Sequence, residues 1–235
     1  MTPHRFVAEL ARFDLPAVFN PWNDECPDFD ADGAASLRRQ NLQRILEAAL
    51  QSGVDTIWIG RDLGYRGGRR TGLPLTDEVH LEAAKQLFGG VSLDRATKGP
   101  VVAERTAAVV WRVLQAVGRP VVLWNVFPFH PHLPDEPQSN RCHTGAERKA
   151  TWPVLQSLID MIRPKAIVAI GRDAHAAMMQ LGISSLQVRH PSYGGQADFI
   201  AGLAEIYGFK GDLSELPAQL SLDHLQAASD ISAAA

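Results

Sequence analysis

Residues 59–72, IGRDLGYRGGRRTG, combine side chains with opposed chemical uses. The stretch holds five glycines and four arginines, with one carboxylate, Asp62, among them. Glycine lets a backbone approach a ligand closely, and guanidinium groups bind phosphate. Because Asp62 would repel the same phosphate, we expect it to face inward with a separate role. The side chains expected to bind phosphate are Arg61, Arg66, Arg69 and Arg70.

Two more polar residues stand next to apolar runs. Asn125 ends VLWN, and His190 begins HPSYGG shortly after LQV. An asparagine amide offers both a hydrogen-bond donor and an acceptor, and a neutral imidazole can donate one hydrogen bond. Parallel strands end at one edge of a sheet, where open α/β folds bind their ligands. We therefore expect Asp62, Asn125 and His190 to lie around one cleft.

Alternating helical and strand-like patterns provide the framework for this cleft. Apolar runs predict strands at 54–59, 121–124, 166–170 and 186–188. Helical spacing and caps predict helices at 36–53, after Thr76, and at 105–118, 144–163, 173–181 and 197–207. The alternation indicates an α/β fold, a three-layer α/β/α sandwich around a mainly parallel four-stranded sheet.

The segments outside these elements, the helix at 144–163 and the domain bounds give further predictions. Residues 1–35 look irregular, and 125–143 form a proline-rich loop. Thr144 and Glu147 have the spacing of a capping box, and Pro153 is expected to kink or restart the helix that follows. Residues 1–225 are predicted to form one domain, with 226–235 as a disordered tail.

Composition narrows the class of protein. The 235 residues are 46% hydrophobic and 21% charged, with a net charge of −3, as in an ordinary globular protein that is not basic overall. Two cysteines are too few for a four-thiolate iron–sulfur or zinc site. No run is long enough to span a membrane, and the N-terminus lacks the order of a secretion signal. We expect a cytoplasmic monomer without a cofactor.

Three motifs, in order, resemble those of the uracil-DNA glycosylase superfamily. GRD at 60–62 and GLPLT at 72–76, ten residues after the aspartate, are similar to G-Q-D-P-Y-H and G-L-x-F-S of the classical enzymes. VLWN is similar to L-L-L-N, and HPSYGG is similar to H-P-S-P-L-S. The resemblance covers roughly residues 18–207, on the side of bacterial branches without an iron–sulfur cluster. A second GRD, at 171–173, is interpreted as structural.

The resemblance implies an enzyme that flips uracil out of DNA and hydrolyses its N-glycosidic bond, leaving an abasic site. Asp62 would stabilise the positive sugar and orient the attacking water, and His190 would donate to the uracil anion. Asn125 would pair with uracil O4 and N3–H, which cytosine cannot match. These loops hold no lysine, so no lyase activity is expected. The residues expected to contact the base are Gly60, Gly64, Tyr65, Leu75 and Ser192.

Departures from the classical motifs leave the base specificity open. Gly64 stands where a tyrosine shields the uracil C5 edge, and Leu75 stands where a phenylalanine stacks. The wedge leucine is replaced by Gly194, which makes the adjacent Tyr193 a candidate wedge. Either Tyr65 or one of two phenylalanines, Phe127 and Phe129, can fill the space beside Gly64. If none does, thymine, hypoxanthine or xanthine becomes an alternative substrate.

Other interpretations compete with catalysis. Asp62 alone would fit a helix cap or a salt bridge to a loop arginine, and the same fold can bind DNA or an abasic site without turnover. A zinc site built from HPH (130–132), Cys142 and His143 lacks the ligand spacing that zinc requires, so these histidines are expected to meet DNA or solvent.

Overall fold

The computed structural model describes residues 1–210 and Leu213, in which helices alternate with short strands. The helices are α1 (Pro3–Leu10), α2 (Ala34–Gln51), α3 (Gly68–Thr71), α4 (Leu81–Leu87), α5 (Arg105–Val117), α6 (Gly145–Ile162), α7 (Arg172–Gln180) and α8 (Gln196–Tyr207). The strands are β1 (Val18–Phe19), β2 (Thr56–Gly60), β3 (Val122–Asn125), β4 (His130–Pro131), β5 (Ala166–Ile170) and β6 (Leu186–Val188). None of the helices in this described part is long and apolar enough to cross a membrane.

Four of these strands form a parallel sheet in the order β3-β2-β5-β6. The central strands are the most apolar runs of the chain, and every residue of β2 is buried. Strands that are covered on both faces need continuous apolar runs. For this reason the apolar runs predict the first and last residues of these strands to within two positions. The predicted α/β fold with a parallel four-stranded sheet between helices is confirmed.

The order of the strands creates a crevice at the centre of the sheet. From β2 the chain crosses to β3 on one side, whereas from β5 it crosses to β6 on the other side. Because crossovers between parallel strands are right-handed, opposite directions place the connecting helices on opposite faces. The carboxyl ends of β2 and β5 therefore diverge from a switch point, where α/β folds bind ligands.

The N-terminal segment is more regular than predicted. Residues 3–10 form α1, in which the Thr2 side chain accepts a hydrogen bond from the Arg5 amide at 3.3 Å and Pro3 occupies the first turn. This start follows the usual preference for proline there, so the signal was present in the sequence. The strand pair β1–β4 spans only two residues on each side and is too short to show a period.

Two helix predictions need correction. The helix expected after Thr76 begins at Leu81, because the Thr76 hydroxyl is engaged elsewhere, donating to the Pro74 carbonyl and accepting from Trp111 Nε1. Helix α6 begins with the predicted capping box but runs unbroken through Pro153. Proline has no N–H group, so the Lys149 carbonyl lacks its helical hydrogen bond. Lys149 and Pro153 are both exposed, so water can reach that carbonyl. The predicted tail at 226–235 lies outside the described residues.

Candidate active site

A cavity of about 530 Å³ opens where β2 and β5 end side by side. Its walls come from the loops after β2, β5 and β6, from the start of α5, and from residues 140–141. Seven residues predicted to act on a substrate or on DNA line it: Arg61, Asp62, Gly64, Leu75, His190, Ser192 and Tyr193. The volume is typical of sites for small organic groups.

Asp62 accepts hydrogen bonds on both carboxylate oxygens. Arg61 Nε donates to Oδ2 at 2.6 Å, and His143 Nδ1 donates to Oδ1. The imidazole of His143 also packs against the Phe127 ring, with centroids 5.3 Å apart. Two donors hold the carboxylate in one orientation and leave its other lone pairs for a ligand.

His143 is a site residue that sequence analysis missed. We expected it to meet DNA or solvent, but its side chain is only 6% exposed and is paired with Asp62. The two residues are 81 positions apart, and no motif links them. They meet because the chain after β3 runs beside the loop after β2, with the Phe127 amide donating to the Arg61 carbonyl at 3.0 Å.

The second GRD belongs to the same site, contrary to its structural interpretation. Gly171, Arg172 and Asp173 line the cavity, since they follow β5 just as Arg61 and Asp62 follow the neighbouring strand β2. Asp173 Oδ2 accepts from Arg61 Nη1 at 3.0 Å. Burial alone would lower the pKa of Arg61, but its bonds to Asp62 and Asp173 raise it. With two carboxylates around it, Arg61 is less free for phosphate than the sequence predicts.

Asn125 lies at the end of β3 and is completely buried. Among the described residues, neither its amide nitrogen nor its amide oxygen has a hydrogen-bond partner. A Cβ atom on Gly60 would lie 2.6 Å from Asn125 Oδ1 and 3.1 Å from the Leu75 side chain, so Gly60 gives both side chains room. Leaving a buried amide unpaired costs about 1–3 kcal/mol per group, so the free Asn125 amide lowers the stability of the fold.

Leu75 lines the cavity, and its side chain and that of Asn125 both lie against Gly60. Its φ of 55° is in the left-handed region, which a leucine adopts only at an energetic cost. Strained backbone of this kind is concentrated at functional sites. We therefore expect the conformation of Leu75 to affect the access of a ligand to Asn125.

His190 has a defined tautomer. The Ser192 amide donates to His190 Nδ1 at 3.1 Å, so Nδ1 is an acceptor and the proton of the neutral ring lies on Nε2. Burial, and then the charges of Arg61 and Arg189, lower the pKa of His190 below its usual value of 6.5. The ring is therefore a neutral hydrogen-bond donor at physiological pH.

A second missed residue, Glu104, fills the space beside Gly64. A Cβ atom on Gly64 would collide with Glu104 Oε1, and one on Gly67 would collide with Oε2. Neither Tyr65 nor the two phenylalanines occupy this space: Phe127 and Phe129 are core residues, and Tyr65 is not part of the cavity wall. Glu104 starts a helix 40 residues after Gly64, and no motif identified it.

Arg69 and Arg70 do not reach a DNA-facing surface, contrary to prediction. They are 3% and 7% exposed and belong to the short helix α3. Arg69 lies 4.0 Å from the centre of the Phe19 ring and donates to the carbonyl of Pro137. Arg70 lies 4.4 Å from the Phe29 ring and pairs with Glu78 at 3.2 Å. These cations stabilise the loop from inside, because planar guanidinium groups stack well on aromatic rings.

Tyr65 and Arg66 form a separate surface pair. Arg66 Nε donates to the Tyr65 hydroxyl at 2.7 Å, and its guanidinium stacks 5.4 Å from the ring centre. Arg66 is exposed, and Tyr65 is half-buried beside the cavity-lining Gly64 without lining the cavity itself, so its contact with a base stays a prediction.

Exposed side chains at the cavity rim were not all predicted. Arg172 and Arg189 are exposed, line the cavity and have no ion pair or side-chain hydrogen bond to other described residues. Tyr193 is 99% exposed at the rim and has a φ of 52°. A positive φ of this kind costs energy in a tyrosine, and the exposed ring is accessible to a molecule at the rim.

The histidines near the proline-rich loop have other partners. His130 is buried, accepts from Arg69 at 3.0 Å and donates to the Ser139 carbonyl at 2.8 Å. Burial, and then Arg69, lower the pKa of His130 to about 3. In the described part of the chain, no group of three or more histidine, cysteine or acidic side chains could hold a metal ion.

An oriented carboxylate and a neutral imidazole line the switch-point cavity, as is typical of an enzyme of the α/β class. Asn125 does not line this cavity: its unpaired amide is buried at the end of the adjacent strand β3. The model of the uracil-DNA glycosylase superfamily matches residues 50–205, which include all three groups. The chain therefore belongs to this superfamily, and its general activity is that of a DNA glycosylase, a hydrolase of N-glycosidic bonds.

Comparison with solved structures agrees at the level of the fold. The crystal structure of wild-type SMUG2 from Pedobacter heparinus is similar, with a TM-score of 0.57 and 13% sequence identity. The similarity covers 88% of this chain and 96% of that chain. No curated protein matches the sequence.

Proposed function

We propose that this protein excises uracil from DNA by hydrolysis of the N-glycosidic bond and leaves an abasic site. The observation that carries the proposal is the unpaired, fully buried amide of Asn125. Uracil O4 would accept from Nδ2, and uracil N3–H would donate to Oδ1. Cytosine presents the reverse pattern and would leave both groups unpaired, which disfavours it strongly.

Asp62 and His190 act on the charges that develop as the bond breaks. Positive charge on the sugar is stabilised by the Asp62 carboxylate, which also orients the attacking water. Negative charge on uracil O2 is stabilised by the Nε2–H of His190, whose tautomer is fixed by the Ser192 amide. Both interactions are stronger in the transition state than in the ground state, as catalysis requires.

The base must displace a side chain to reach Asn125. Because the amide is completely buried, the flipped base contacts it only after Leu75 moves aside. The leucine side chain then packs against a face of the base. No lysine lines the cavity formed by the described residues, so the proposed reaction is hydrolysis without an imine intermediate.

DNA is held by the exposed rim of the cavity. Arg172 and Arg189 meet backbone phosphates on either side of the flipped nucleotide, and Arg66 extends this surface. Tyr193 fills the gap that the flipped base leaves in the stack, because aromatic rings stack on bases. Arg69 and Arg70 have no part in this surface.

Removal of a rim arginine should weaken DNA binding and its salt dependence. We expect Arg172→Ala and Arg189→Ala each to lower the slope of log affinity against log salt by about 1, since one phosphate contact is lost. The measurement is fluorescence anisotropy with a labelled duplex at several salt concentrations. Arg119→Ala is the control, because Arg119 is exposed at the amino end of the sheet, before β3. If both rim variants keep the wild-type slope, these side chains do not contact the backbone.

Removal of the His143 donor should slow bond cleavage more than it weakens binding. His143→Ala frees one oxygen of Asp62, whereas His143→Asn keeps an N–H group near the place of Nδ1. We expect the alanine variant to lose about 10-fold or more in the single-turnover rate and the asparagine variant to recover part of it. Equal losses in both variants, accompanied by equal losses in thermal stability, would indicate that His143 only supports the fold.

The test of the proposed function is a panel of single-turnover excision assays. Oligonucleotides carrying uracil opposite guanine, uracil opposite adenine, single-stranded uracil, mismatched thymine, hypoxanthine or xanthine are incubated with excess enzyme, and abasic products are cleaved with alkali. We expect uracil to be excised fastest. Excision of another base without uracil excision, or tight binding without any product, would contradict the proposal.

A further inference from the structure

Glu104 is an acidic side chain at the cavity that the proposed reaction leaves without a role. It precedes α5 in an extended conformation, with φ −123° and ψ 132°, but its carboxylate does not cap the helix. Its amide donates to Asp77 Oδ2 at 2.6 Å, which fixes the backbone. The side chain instead points toward the loop after β2, where it lines the cavity.

Two glycines make room for the carboxyl group of Glu104. A Cβ atom on Gly64 or on Gly67 would collide with one or the other of its oxygens. Gly64 and Glu104 both line the cavity, so the carboxyl group forms part of its wall. The opening that Gly64 suggests in the sequence is therefore closed by a residue from another element.

The carboxyl group has no partner among the described residues. None of their side chains or amides donates a hydrogen bond to it, and it forms no ion pair with them. Burial, and then the neighbouring Asp77 carboxylate, raise the pKa of Glu104 to about 7. Keeping an acid in this environment is unfavourable for folding alone, which indicates a role toward a ligand.

The assigned contacts leave one edge of the base for Glu104. In the proposed complex, N1 carries the sugar, His190 contacts O2, and Asn125 contacts N3–H and O4. Leu75 packs against a face of the ring. The edge that remains is C5–C6. Thr106, Asn140, Arg141 and Glu104 are the lining polar side chains without an assigned contact. Asn140 and Arg141 are already bonded to Tyr65 and Glu147, whereas the Glu104 carboxyl group lies against Gly64.

We propose that Glu104 determines specificity at the C5 edge of the flipped base and excludes the 5-methyl group of thymine. Uracil presents a C–H group to a carboxyl oxygen, a contact that is weakly favourable. Thymine would place a methyl group where the carboxyl oxygens lie and bury them against apolar surface, which is unfavourable. This inference rests on the proposed excision of uracil.

The experiment compares Glu104→Ala and Glu104→Gln with the wild type on duplexes carrying uracil or thymine opposite guanine. Under single turnover, Glu104→Ala is expected to raise the ratio of thymine to uracil excision by roughly 10-fold or more, because space for one methyl group opens. Glu104→Gln keeps the volume and is expected to keep thymine excluded. Arg105→Ala controls for disturbance of the helix start, since Arg105 is exposed and outside the cavity wall.

The outcomes separate this inference from the proposed function. If the wild type excises uracil and the folded Glu104→Ala variant shows an unchanged ratio, the assignment of Glu104 is wrong and the proposed function stands. If the wild type excises no uracil, both are overturned. Thermal unfolding of each variant establishes that it is folded.

Discussion

Asp62→Asn is expected to lower the single-turnover rate of uracil excision by about 100-fold or more while leaving DNA affinity nearly unchanged. The substitution keeps the shape of the side chain and removes its negative charge. That charge is needed only when positive charge develops on the sugar, so its loss affects the transition state more than the bound substrate. Quench-flow rates and anisotropy titrations on one duplex measure the two quantities separately.

Asp173→Asn is the matched control for this prediction. Both carboxylates pair with Arg61 and both line the cavity, but the Asp173 side chain is 68% exposed whereas that of Asp62 is 7% exposed and is also bound by His143. We expect only a small effect on rate from Asp173→Asn. Equal losses in the two variants would mean that Arg61, rather than Asp62, carries the electrostatic effect.

Local patterns were sufficient for the sheet and for placing Asp62 and His190 at one cavity. Apolar runs fixed the strands, and the carboxyl ends of parallel strands fixed the edge at which Asp62 and His190 meet. The same rule places residues 171–173 beside residues 60–62, because β2 and β5 are neighbours. Placing these residues together requires the strand order, which local sequence patterns do not reveal.

Residues that depend on tertiary packing were not predictable. His143 and Glu104 lie in a loop and at a helix start, far along the chain from the glycines and the acid that they contact. Arginine is normally exposed, so a sequence gives no reason to bury Arg69 and Arg70. Their aromatic partners, Phe19 and Phe29, come from the N-terminal segment that looked irregular.

Hydrogen-bond partners distinguish an asparagine that stabilises the fold from one that is proposed to bind a base. Asn20 is 2% exposed; its amide donates to the Leu10 and Phe13 carbonyls at 2.8 and 2.9 Å and accepts from the Trp22 amide at 3.0 Å. Asn125 is equally buried and has none of these bonds within the described chain. Buried amides with partners stabilise a fold, whereas an unpaired amide lowers stability unless a ligand completes it.

Asn125→Leu is therefore expected to abolish uracil excision, with a loss of about 100-fold or more, while the free energy of unfolding stays equal or rises. Leucine has a similar branched shape and removes two buried groups that lack partners. Asn20→Leu makes the same chemical change but leaves two carbonyls and one amide unpaired, each at a cost of about 1–3 kcal/mol. Urea denaturation and excision assays of both variants give four values. The proposal for Asn125 fails if its leucine variant still excises uracil, or if it is destabilised as much as Asn20→Leu, because the amide would then be serving the fold rather than the base.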